Sequence, residues 1–381
     1  MAPPKGGPKK GASVSSRKTT VSKSTVSRTY GTTLTTKKSP QRFLQSTTPR
    51  WRDVFDAAAN NDTRAVKYYV DENENVLRMT DAEEKTVPLI AAESANMELL
   101  KYVLEKENST LFYQDVYGNT ALQRAIEKNA MDMVKYLVEE HKWNVTKVND
   151  RSFGNTPIHV AAEEGQLEIL KYFIEEKKGD PNIRNEYGDT PAILAADKTR
   201  LEIIKYLVEE CKADMMLLNN HRSNILYSSA KIGDVTVPKY LLDEQKMTFD
   251  VNWRDIMNAT ILYTATRFTK YDFIKYIVKE HRADVNIPDE LGRSPLHVAA
   301  YQNNYPMCKF FVDEGANLEA RDSYNNTPVE EASDPVVIGF LSDMMSVQRR
   351  ERAERGHRRR RNVPEELFVP RTEGPRIVER W

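Results

Sequence analysis

The sequence predicts an all-α solenoid, a stack of similar helical hairpins, and three observations support this class. A Lys-Tyr dipeptide recurs along the chain, each period contains two amphipathic helical segments, and turn-forming residues close each period. A fixed period of roughly 20–50 residues indicates stacked units rather than one compact globule. Such a stack offers partners a long surface instead of a deep catalytic pocket.

The Lys-Tyr dipeptide sets the period. Its lysines follow one another at steps of 34 or 36 residues, and the series closes with Lys309-Phe310. The lysines of the series are Lys67, Lys101, Lys135, Lys171, Lys205, Lys239, Lys275 and Lys309. The two units of 36 residues predict longer or bulged loops near residues 143–153 and 249–255.

The clearest unit begins at residue 154. Thr156 is a candidate N-cap and Pro157 suits the first helical position. Gly165 ends this first helix, because glycine adopts positive φ without strain. A second helix follows over residues 167–176, and turns at 180–182 and 187–189 lead into the next unit.

These residues resemble the ankyrin-repeat family. Thr-Pro-Ile-His-Val-Ala-Ala at 156–162 and Ser-Pro-Leu-His-Val-Ala-Ala at 294–300 match its signature, and weaker copies occur in the other units. The resemblance covers about residues 51–345, or about nine units. It implies an ankyrin-repeat α-solenoid of helix-turn-helix units with β-hairpin loops. It also implies that the signature residues are structural: Thr156, Pro157, His159, Ser294, Pro295 and His297.

Three departures from the family pattern carry predictions. The turn between the two helices of a unit usually holds glycine, but three units have Ala95, Thr199 and Thr269 there. Since these residues disfavour the left-handed conformation, altered turns are predicted in those units. Asp334-Pro335 stands where the second helix of the last unit should begin and Gly339 lies inside it, which predicts a shortened cap.

The zero net charge hides three segments of different charge. Residues 1–50 hold 11 Lys/Arg and no acid, and residues 346–381 hold 11 Arg and 6 acids. Residues 51–345 therefore carry 56−22 = 34 bases and 56−6 = 50 acids, a net charge of −16. We expect an acidic solenoid between a Ser/Thr/Lys/Arg-rich N-terminal arm, disordered when unbound, and an arginine-rich extended C-terminal arm.

Several classes of function are disfavoured. Two cysteines, Cys211 and Cys308, form no disulfide framework and indicate a reducing compartment. No apolar run is long enough to span a membrane, and the first residues lack a secretory signal. The histidines show no metal-ligand spacing, and no nucleophile–base cluster stands out. We expect no enzyme activity and no cofactor.

The lysine series allows two interpretations. An acid stands four residues after the lysine in seven of the eight cases, so both side chains share one helix face. The simpler interpretation is a solvated face of intrahelical ion pairs with tyrosine hydroxyls in water. The other is a charged surface that contacts a partner.

Aromatic residues mark candidate contacts for a protein partner. Tyr117, Phe153, Tyr187 and Tyr324 occupy one position in successive loops, and the longer loops contain Trp143 and Trp253. Ankyrin arrays usually bind proteins on their concave face, so the resemblance implies such a partner there. The same residues could equally pack against the adjacent loop.

The two arms supply the second group of candidates. Lys37 and Lys38 stand in a stretch that suits a polyanionic surface, and Ser39-Pro40 resembles a kinase site. The C-terminal arm resembles a docking peptide with a basic cluster and apolar anchors. Its candidate contacts are Arg358, Arg359, Arg360, Arg361, Leu367, Phe368 and Trp381. Solubilising tails are the alternative.

Three functional hypotheses follow. The first is a structural scaffold of the cytoplasm, cytoskeleton or cilium whose basic arms bind an acidic surface such as the microtubule. The second is a nuclear adaptor that uses Arg358–Arg361 as an import signal and contacts nucleic acid. The third is a soluble signalling adaptor with regulatory tails. None of the three involves a membrane.

Overall fold

The computed structural model describes residues 51–147 and 153–361, with the backbone alone for residues 352 and 354–361. Within these ranges the chain forms nine helical hairpins and no β-strand. The first helix of each hairpin packs on the first helices of the neighbouring units, and we call these the inner helices. They are Val54–Ala59, Val87–Glu93, Ala121–Glu127, Pro157–Glu164, Pro191–Asp197, Ile225–Ile232, Ile261–Arg267, Pro295–Tyr301 and Pro328–Glu331.

The second helix of each hairpin packs on its own inner helix, and we call these the outer helices. Two of them end in a π-helical segment, and a short 3₁₀ helix, Glu74–Arg78, follows the first. The outer helices are Thr63–Glu72, Met97–Lys106, Met131–Glu139, Leu167–Lys171 with Tyr172–Glu176, Leu201–Glu209, Thr236–Pro238 with Lys239–Glu244, Tyr271–Lys279, Tyr305–Asp313 and Pro335–Arg361.

One apolar core runs through all nine units. It extends from Val54 to Leu341 and is formed by both helix rows. Fully buried alanine pairs, such as Ala161 and Ala162, stand near the ends of the inner helices. Their small side chains let neighbouring inner helices approach closely, so the stack needs contacts only between adjacent units.

The prediction of altered turns in three units is wrong. The residue between inner and outer helix has a left-handed φ between 52° and 88° in all eight units examined by sequence, including Ala95, Thr199 and Thr269. The turns at Ala95, Thr199 and Thr269 form the same two backbone hydrogen bonds. In the last of them, the N–H of Thr269 donates to the carbonyl of Thr266 and that of Lys270 to the carbonyl of Ala265, at 3.0 and 2.9 Å. These bonds and the packed helices outweigh a conformational cost of about 1–2 kcal/mol.

The extra residues of the unit after Lys239 lie in its loop, as predicted. Ala213, Met247 and Ala283 each bond back to their outer helix, and Asn219, Asp255 and Asp289 each begin the following turn. The intervals are 219−213 = 6, 255−247 = 8 and 289−283 = 6 residues. The other predicted long loop lies partly outside the described residues.

The prediction of a shortened cap is confirmed for the inner helix of the last unit, Pro328–Glu331 with four residues, and is wrong for the outer helix. The last outer helix runs over Pro335–Arg361, 27 residues. Pro335 stands in its first turn, where proline costs no hydrogen bond, and no side chain crowds Gly339. Val337 and Leu341 are buried, Gln348 donates to the carbonyl of Ala316, and Arg349 pairs with Glu319. The helix continues from Arg349 to Arg361.

Candidate protein-binding face

Seven of the loops between successive units, within the described residues, are each closed by one Asp or Asn side chain. Its carboxylate or amide oxygen accepts the backbone N–H groups two and four residues later, at 2.8–3.0 Å. These side-chain turns fix the loop tips in one conformation. The closing residues are Asp81, Asp115, Asn185, Asn219, Asp255, Asp289 and Asp322.

From Phe153 to Tyr324, backbone hydrogen bonds join each loop tip to the tip of the next loop. The N–H of Asn220 donates to the carbonyl of Tyr187 at 2.8 Å, and the N–H of Ile256 donates to His221 at 2.9 Å. Equivalent bonds join Glu186 to Phe153, Glu290 to Met257, and Ser323 to Leu291. The tips from Phe153 to Tyr324 therefore form a continuous row, although no described tip is long enough to count as a strand.

From Asp115 onward, the second residue after each closing Asp or Asn forms what we call the tip row, together with Phe153 at the equivalent position of its loop. Five members are large and exposed, by 43% to 71% of their surface: Tyr117, Phe153, Tyr187, Met257 and Tyr324. His221 is also exposed, and Leu291 is half-buried. Side chains of this size are seldom exposed side by side on a monomer, and such patches mark contact surfaces.

Three consecutive tip residues, Phe153, Tyr187 and His221, lie ring against ring. The ring centroids of Phe153 and Tyr187 lie 5.4 Å apart, and those of Tyr187 and His221 lie 6.5 Å apart. The candidates Tyr117, Phe153, Tyr187 and Tyr324 thus lie in one row, and Phe153 and Tyr187 also pack on each other. The packing interpretation is confirmed for Phe153 and Tyr187, and contact with a partner stays a prediction for all four aromatics.

The two tryptophans lie elsewhere. Trp143 was expected on the partner-binding surface, but it is only 8% exposed and packs on the ring of Phe112 at 4.7 Å. Trp253 is half-buried, donates its indole N–H to the carbonyl of Arg222 and lies 5.0 Å from the Arg222 guanidinium. Trp143 is a core residue, and Trp253 supports the longer loop.

A groove of about 450 Å³ lies between the tip row and the inner helices of three units. Tyr187, His221 and Met257 of the tip row line one side, and Asp197, Lys231 and Arg267 line the other. Tip residues and inner-helix residues therefore share one face of the stack, which we call the groove face.

Asp197 is a carboxyl of this groove whose pKa is shifted from its ordinary value. Burial raises its pKa, with smaller contributions from the carboxylates of Asp189 and Glu163. A hydrogen bond from Ser228 and the charge of Lys231 act in the opposite direction. Because burial is the largest cause of the shift, a cationic group of a ligand placed beside Asp197 would stabilise its charged form.

His159 and His297 support the loops from inside. Each imidazole Nδ1 accepts the backbone N–H of the N-cap residue, Thr156 or Ser294, and each Nε2 bonds a carbonyl of the next loop. Burial lowers the pKa of His159 to about 4, and burial likewise lowers the pKa of His297. Both rings are neutral at pH 7 and buried, which is a structural role. Pro157 and Pro295 begin the same helices.

Two tyrosines at the same helix position escaped the sequence analysis. The hydroxyl of Tyr227 donates to the carbonyls of Trp253 and Ala259 at 2.7 Å, and that of Tyr263 donates to Asp289 at 2.6 Å. Like the signature histidine, each connects its unit to the next loop. Aligning Ile225-Leu226-Tyr227 with the signature, histidine against tyrosine, would have revealed them.

The opposite face corrects the prediction of intrahelical ion pairs. Five of the lysine Nζ atoms lie 5.3–5.8 Å from the ring of the tyrosine in the next unit. Four of the acids that follow a lysine by four residues accept a tyrosine hydroxyl from the next unit. Glu139 accepts from Tyr172 at 3.0 Å and Glu175 from Tyr206 at 2.9 Å. This outer network joins units because ring and carboxylate come from different helices.

The remaining sequence candidates fall outside what the structure describes. Lys37, Lys38, Leu367, Phe368 and Trp381 lie outside the described residues. Arg358–Arg361 belong to the final helix by their backbone, and their side chains are not described. Within the described ranges, no three His, Cys, Asp or Glu side chains are grouped to hold a metal, and no helix has the length and apolar character to cross a membrane.

Family models described as ankyrin repeats match most of the helical region. One, for three copies of the repeat, matches residues 54–149 and 141–219, and one for many copies matches residues 277–332. The crystal structure of the human ASB11 ankyrin repeat domain superposes with a TM-score of 0.51 at 22% identity, over 59% of this chain and 98% of that domain. This likeness concerns the fold.

Curated relatives match over shorter segments. An ankyrin repeat protein of fowlpox virus, FPV230, is 46% identical over 60 residues, 16% of this chain and 32% of that protein. Mouse diacylglycerol kinase iota is 35% identical over 89 residues, 22% of this chain and 8% of the kinase. Human neurogenic locus notch homolog protein 1 is 31% identical over 96 residues, 25% of this chain and 4% of that protein.

The chain thus spans no more than a third of any of these three relatives, and the kinase match is confined to repeats. Ankyrin repeats are protein-interaction modules without chemistry of their own, which agrees with the exposed tip row and the groove. The family matches, together with the stacked hairpins, show that this chain belongs to the ankyrin-repeat family and is a protein–protein interaction scaffold.

Proposed function

We propose that this scaffold is a non-enzymatic structural component of a cytoskeletal or ciliary assembly. In this proposal the groove face holds a protein partner, and the basic arms bind the acidic surface of the microtubule. The observation that carries the proposal is the row of exposed tip residues beside a groove that the carboxyl of Asp197 lines. Large exposed residues such as Tyr187 and Met257 on one face are typical of a surface that binds a partner.

The microtubule part of the proposal is supported by charge. Residues 1–50 hold 11 Lys/Arg and no acid, and they directly precede the first unit. Spread basic residues bind a polyanionic surface without reading its sequence, and tubulin is acidic and periodic. Lys37 and Lys38 lie in this arm, and Arg358–Arg361 offer a second basic cluster. The apolar residues Leu367, Phe368 and Trp381 suit docking into pockets of a neighbouring protein.

Co-pelleting with polymerised tubulin tests this part. The full chain should pellet with microtubules, and a chain lacking residues 1–50 should pellet far less. A matched control keeps the arm length and replaces its 11 Lys/Arg with Gln. If charge carries the binding, this control behaves like the deletion, and added salt releases the full chain. Undiminished pelleting after deletion would remove the support for the arm.

The groove face has its own test. Tyr187→Asp and Met257→Asp place charge on exposed tip residues without touching the core. Crosslinks of the native assembly should map to the groove face and should be lost in these variants. Tyr271→Asp is the control, because Tyr271 is 41% exposed but begins an outer helix. Equal loss from the control would show that general surface charge, and not the groove face, matters.

The nuclear adaptor is the second candidate, favoured by the run Arg358–Arg361. Binding to duplex DNA that weakens steeply as salt rises would support it, because each neutralised phosphate adds to the slope. Tight microtubule binding together with a flat salt response on DNA would reject it. The signalling adaptor predicts neither microtubule nor DNA binding.

A further inference from the structure

One residue near the end of each inner helix, from the second unit to the eighth, forms what we call the groove row. Its first four members are acids, the next two are bases and the last is a tyrosine. Asp197, Lys231 and Arg267 line the groove, so the change of sign lies inside it. The members of the row are Glu93, Glu127, Glu163, Asp197, Lys231, Arg267 and Tyr301.

The acids of the groove row already have partners within the stack. The fourth of them, Asp197, accepts a hydrogen bond from Ser228 and is attracted to the charge of Lys231. The other three form salt bridges with nitrogen–oxygen distances of 2.8–3.4 Å: Glu93 with Lys85, Glu127 with Arg124, and Glu163 with Lys198. Each of the four carboxylates therefore has a donor or a cation inside the protein.

The other acids that line the groove have partners as well. Asp189 accepts the side-chain amide of Asn219 at 2.8 Å, and Asp289 forms a salt bridge with Arg293 at 2.8 Å. Asp255 accepts the backbone N–H groups that close its own loop. The carboxylates of the groove are thus engaged by the protein before any ligand arrives.

The two bases of the groove row differ from its acids. Lys231 and Arg267 are exposed, and neither forms a salt bridge with another residue in the described part of the chain. Acids outnumber bases in residues 51–345, so two exposed bases in neighbouring units stand out against their surroundings. Positive charge is therefore the charge that the groove leaves available to a ligand, and a ligand with carboxylates is complementary to it.

The loop tip across the groove from these bases is apolar. Ile256 and Met257 are 57% and 50% exposed, and both line the groove. The inner helix Ile261–Arg267 leads from this tip to Arg267, and its seven residues span about 10 Å. One extended strand with its side chains also occupies about 10 Å, the distance between packed sheets. The groove therefore has the width of a single extended peptide.

We propose that this groove binds an extended peptide of a partner protein in which acidic and large apolar residues alternate. Successive side chains of an extended chain point to opposite sides. One side of the peptide places two acids beside Lys231 and Arg267, and the other side places apolar residues against Ile256 and Met257. Alternation is thus the feature that distinguishes this ligand from other acidic peptides.

The spacing of the two bases agrees with alternation. Packed helices lie about 8–10 Å apart, which sets the separation of Lys231 and Arg267 in neighbouring units. Residues two apart in an extended peptide are separated by about 7 Å. The difference, about 1–3 Å, is within the reach of the long lysine and arginine side chains. Asp197 lies one unit before Lys231, so a third acid there would meet a carboxylate, and a long polyanion is disfavoured.

The inference rests on the proposed protein-binding role of the groove face and names the chemistry of the partner. It does not depend on microtubule binding, which uses residues 1–50. If no peptide binds while crosslinks of the native assembly still map to the groove face, the inference fails and the protein-binding role stands.

Fluorescence anisotropy of labelled synthetic peptides, titrated with the full chain, tests the inference. The first peptide alternates Glu with Leu and Phe, the second has the same composition in two blocks, and the third alternates Lys with Leu and Phe. The first should bind, more weakly as salt rises, because exposed ion pairs are screened. The other two should bind about tenfold more weakly, since each loses one set of contacts. Equal binding of the block peptide, or displacement of the first peptide by duplex DNA, would overturn the inference.

Exchanged charges then assign the binding to the groove. The variant K231E with R267E should lose about tenfold in affinity for the first peptide and should gain affinity for the lysine peptide. Lys275 and Lys309 are exposed on outer helices, so K275E with K309E carries the same charge change and should bind like the unchanged chain. A groove variant that still binds the first peptide, or an equal loss in the control, would overturn the inference. Unchanged urea melts of both variants show that the fold is intact.

Discussion

The outer face and the groove face of the stack follow opposite rules. On the outer face the same three residue types recur in nearly every unit, and each has a partner in the next unit: lysine on a tyrosine ring, tyrosine hydroxyl on an acid. On the groove face the equivalent positions differ from unit to unit and remain exposed. Repetition therefore marks the contacts that hold units together, and variation marks the surface that is free to bind.

The largest effect should come from removing an outer-network tyrosine. Tyr206 is 5% exposed, lies under Lys171 and donates to Glu175. Tyr206→Ala should lower the free energy of unfolding by about 3–5 kcal/mol, because a buried ring leaves a cavity. Urea denaturation measures this loss.

Tyr187→Ala is the matched change on the groove face. Because Tyr187 is exposed, its removal should alter stability by no more than about 0.5 kcal/mol. Similar losses of unfolding free energy in the two variants would contradict the difference between the two faces.

Acid should next weaken the inner helices through His159. Burial lowers its pKa to about 4 from the model-peptide value of 6.5, so the unfolded chain binds the proton more tightly. The free energy of unfolding therefore does not change through His159 above pH 6.5. It falls as the pH drops toward 4, by about 3 kcal/mol in total.

His159→Gln provides the control, since Gln123 already forms the same capping box in another unit. Urea melts between pH 7 and pH 4 should show a smaller decline for this variant. An unchanged decline would assign the acid sensitivity to other groups.

A smaller effect should follow from removing one hydroxyl of the outer network. Tyr240 donates to Glu209 at 2.8 Å, so Tyr240→Phe should cost about 1 kcal/mol of unfolding free energy. Tyr68→Phe serves as the comparison, because Tyr68 belongs to the first described unit and is 37% exposed. If both substitutions were neutral in urea melts, the hydroxyl–acid contacts would contribute no stability.

The smallest effect concerns the turns, which lie between the two faces. Thr269 has φ +56°, so Thr269→Gly should raise the unfolding free energy by about 0.5–1 kcal/mol through relief of strain. Gly233→Thr should do the reverse, because an added Cβ would lie 2.7 Å from Cδ of Lys270 at φ +88°. Thermal melts compare the two, and a destabilised Thr269→Gly chain would contradict the argument.

Local sequence patterns predicted the structural features that depend only on residues within one unit. The period, the helix pairs, the N-cap Thr156 and the tip position of Tyr187 depend on neighbours close in the chain. Properties set by contacts between units were not predicted: the burial of Trp143 against Phe112, the tyrosine partner of Glu175, and the left-handed turn at Thr199. In each, a neighbouring unit or helix packing overrides the preference of the residue.

Site-specific photocrosslinking tests most directly the claim that the groove face is the binding surface. A photoreactive phenylalanine analogue would replace Tyr187 or Met257 on the groove face, and Tyr68 or Tyr271 on the outer helices, in the full chain within its native assembly. All four sites are exposed, so each reagent can reach a partner. We predict protein adducts from Tyr187 and Met257 and none from the outer pair. Adducts from the outer sites, with the groove sites silent, would contradict the account.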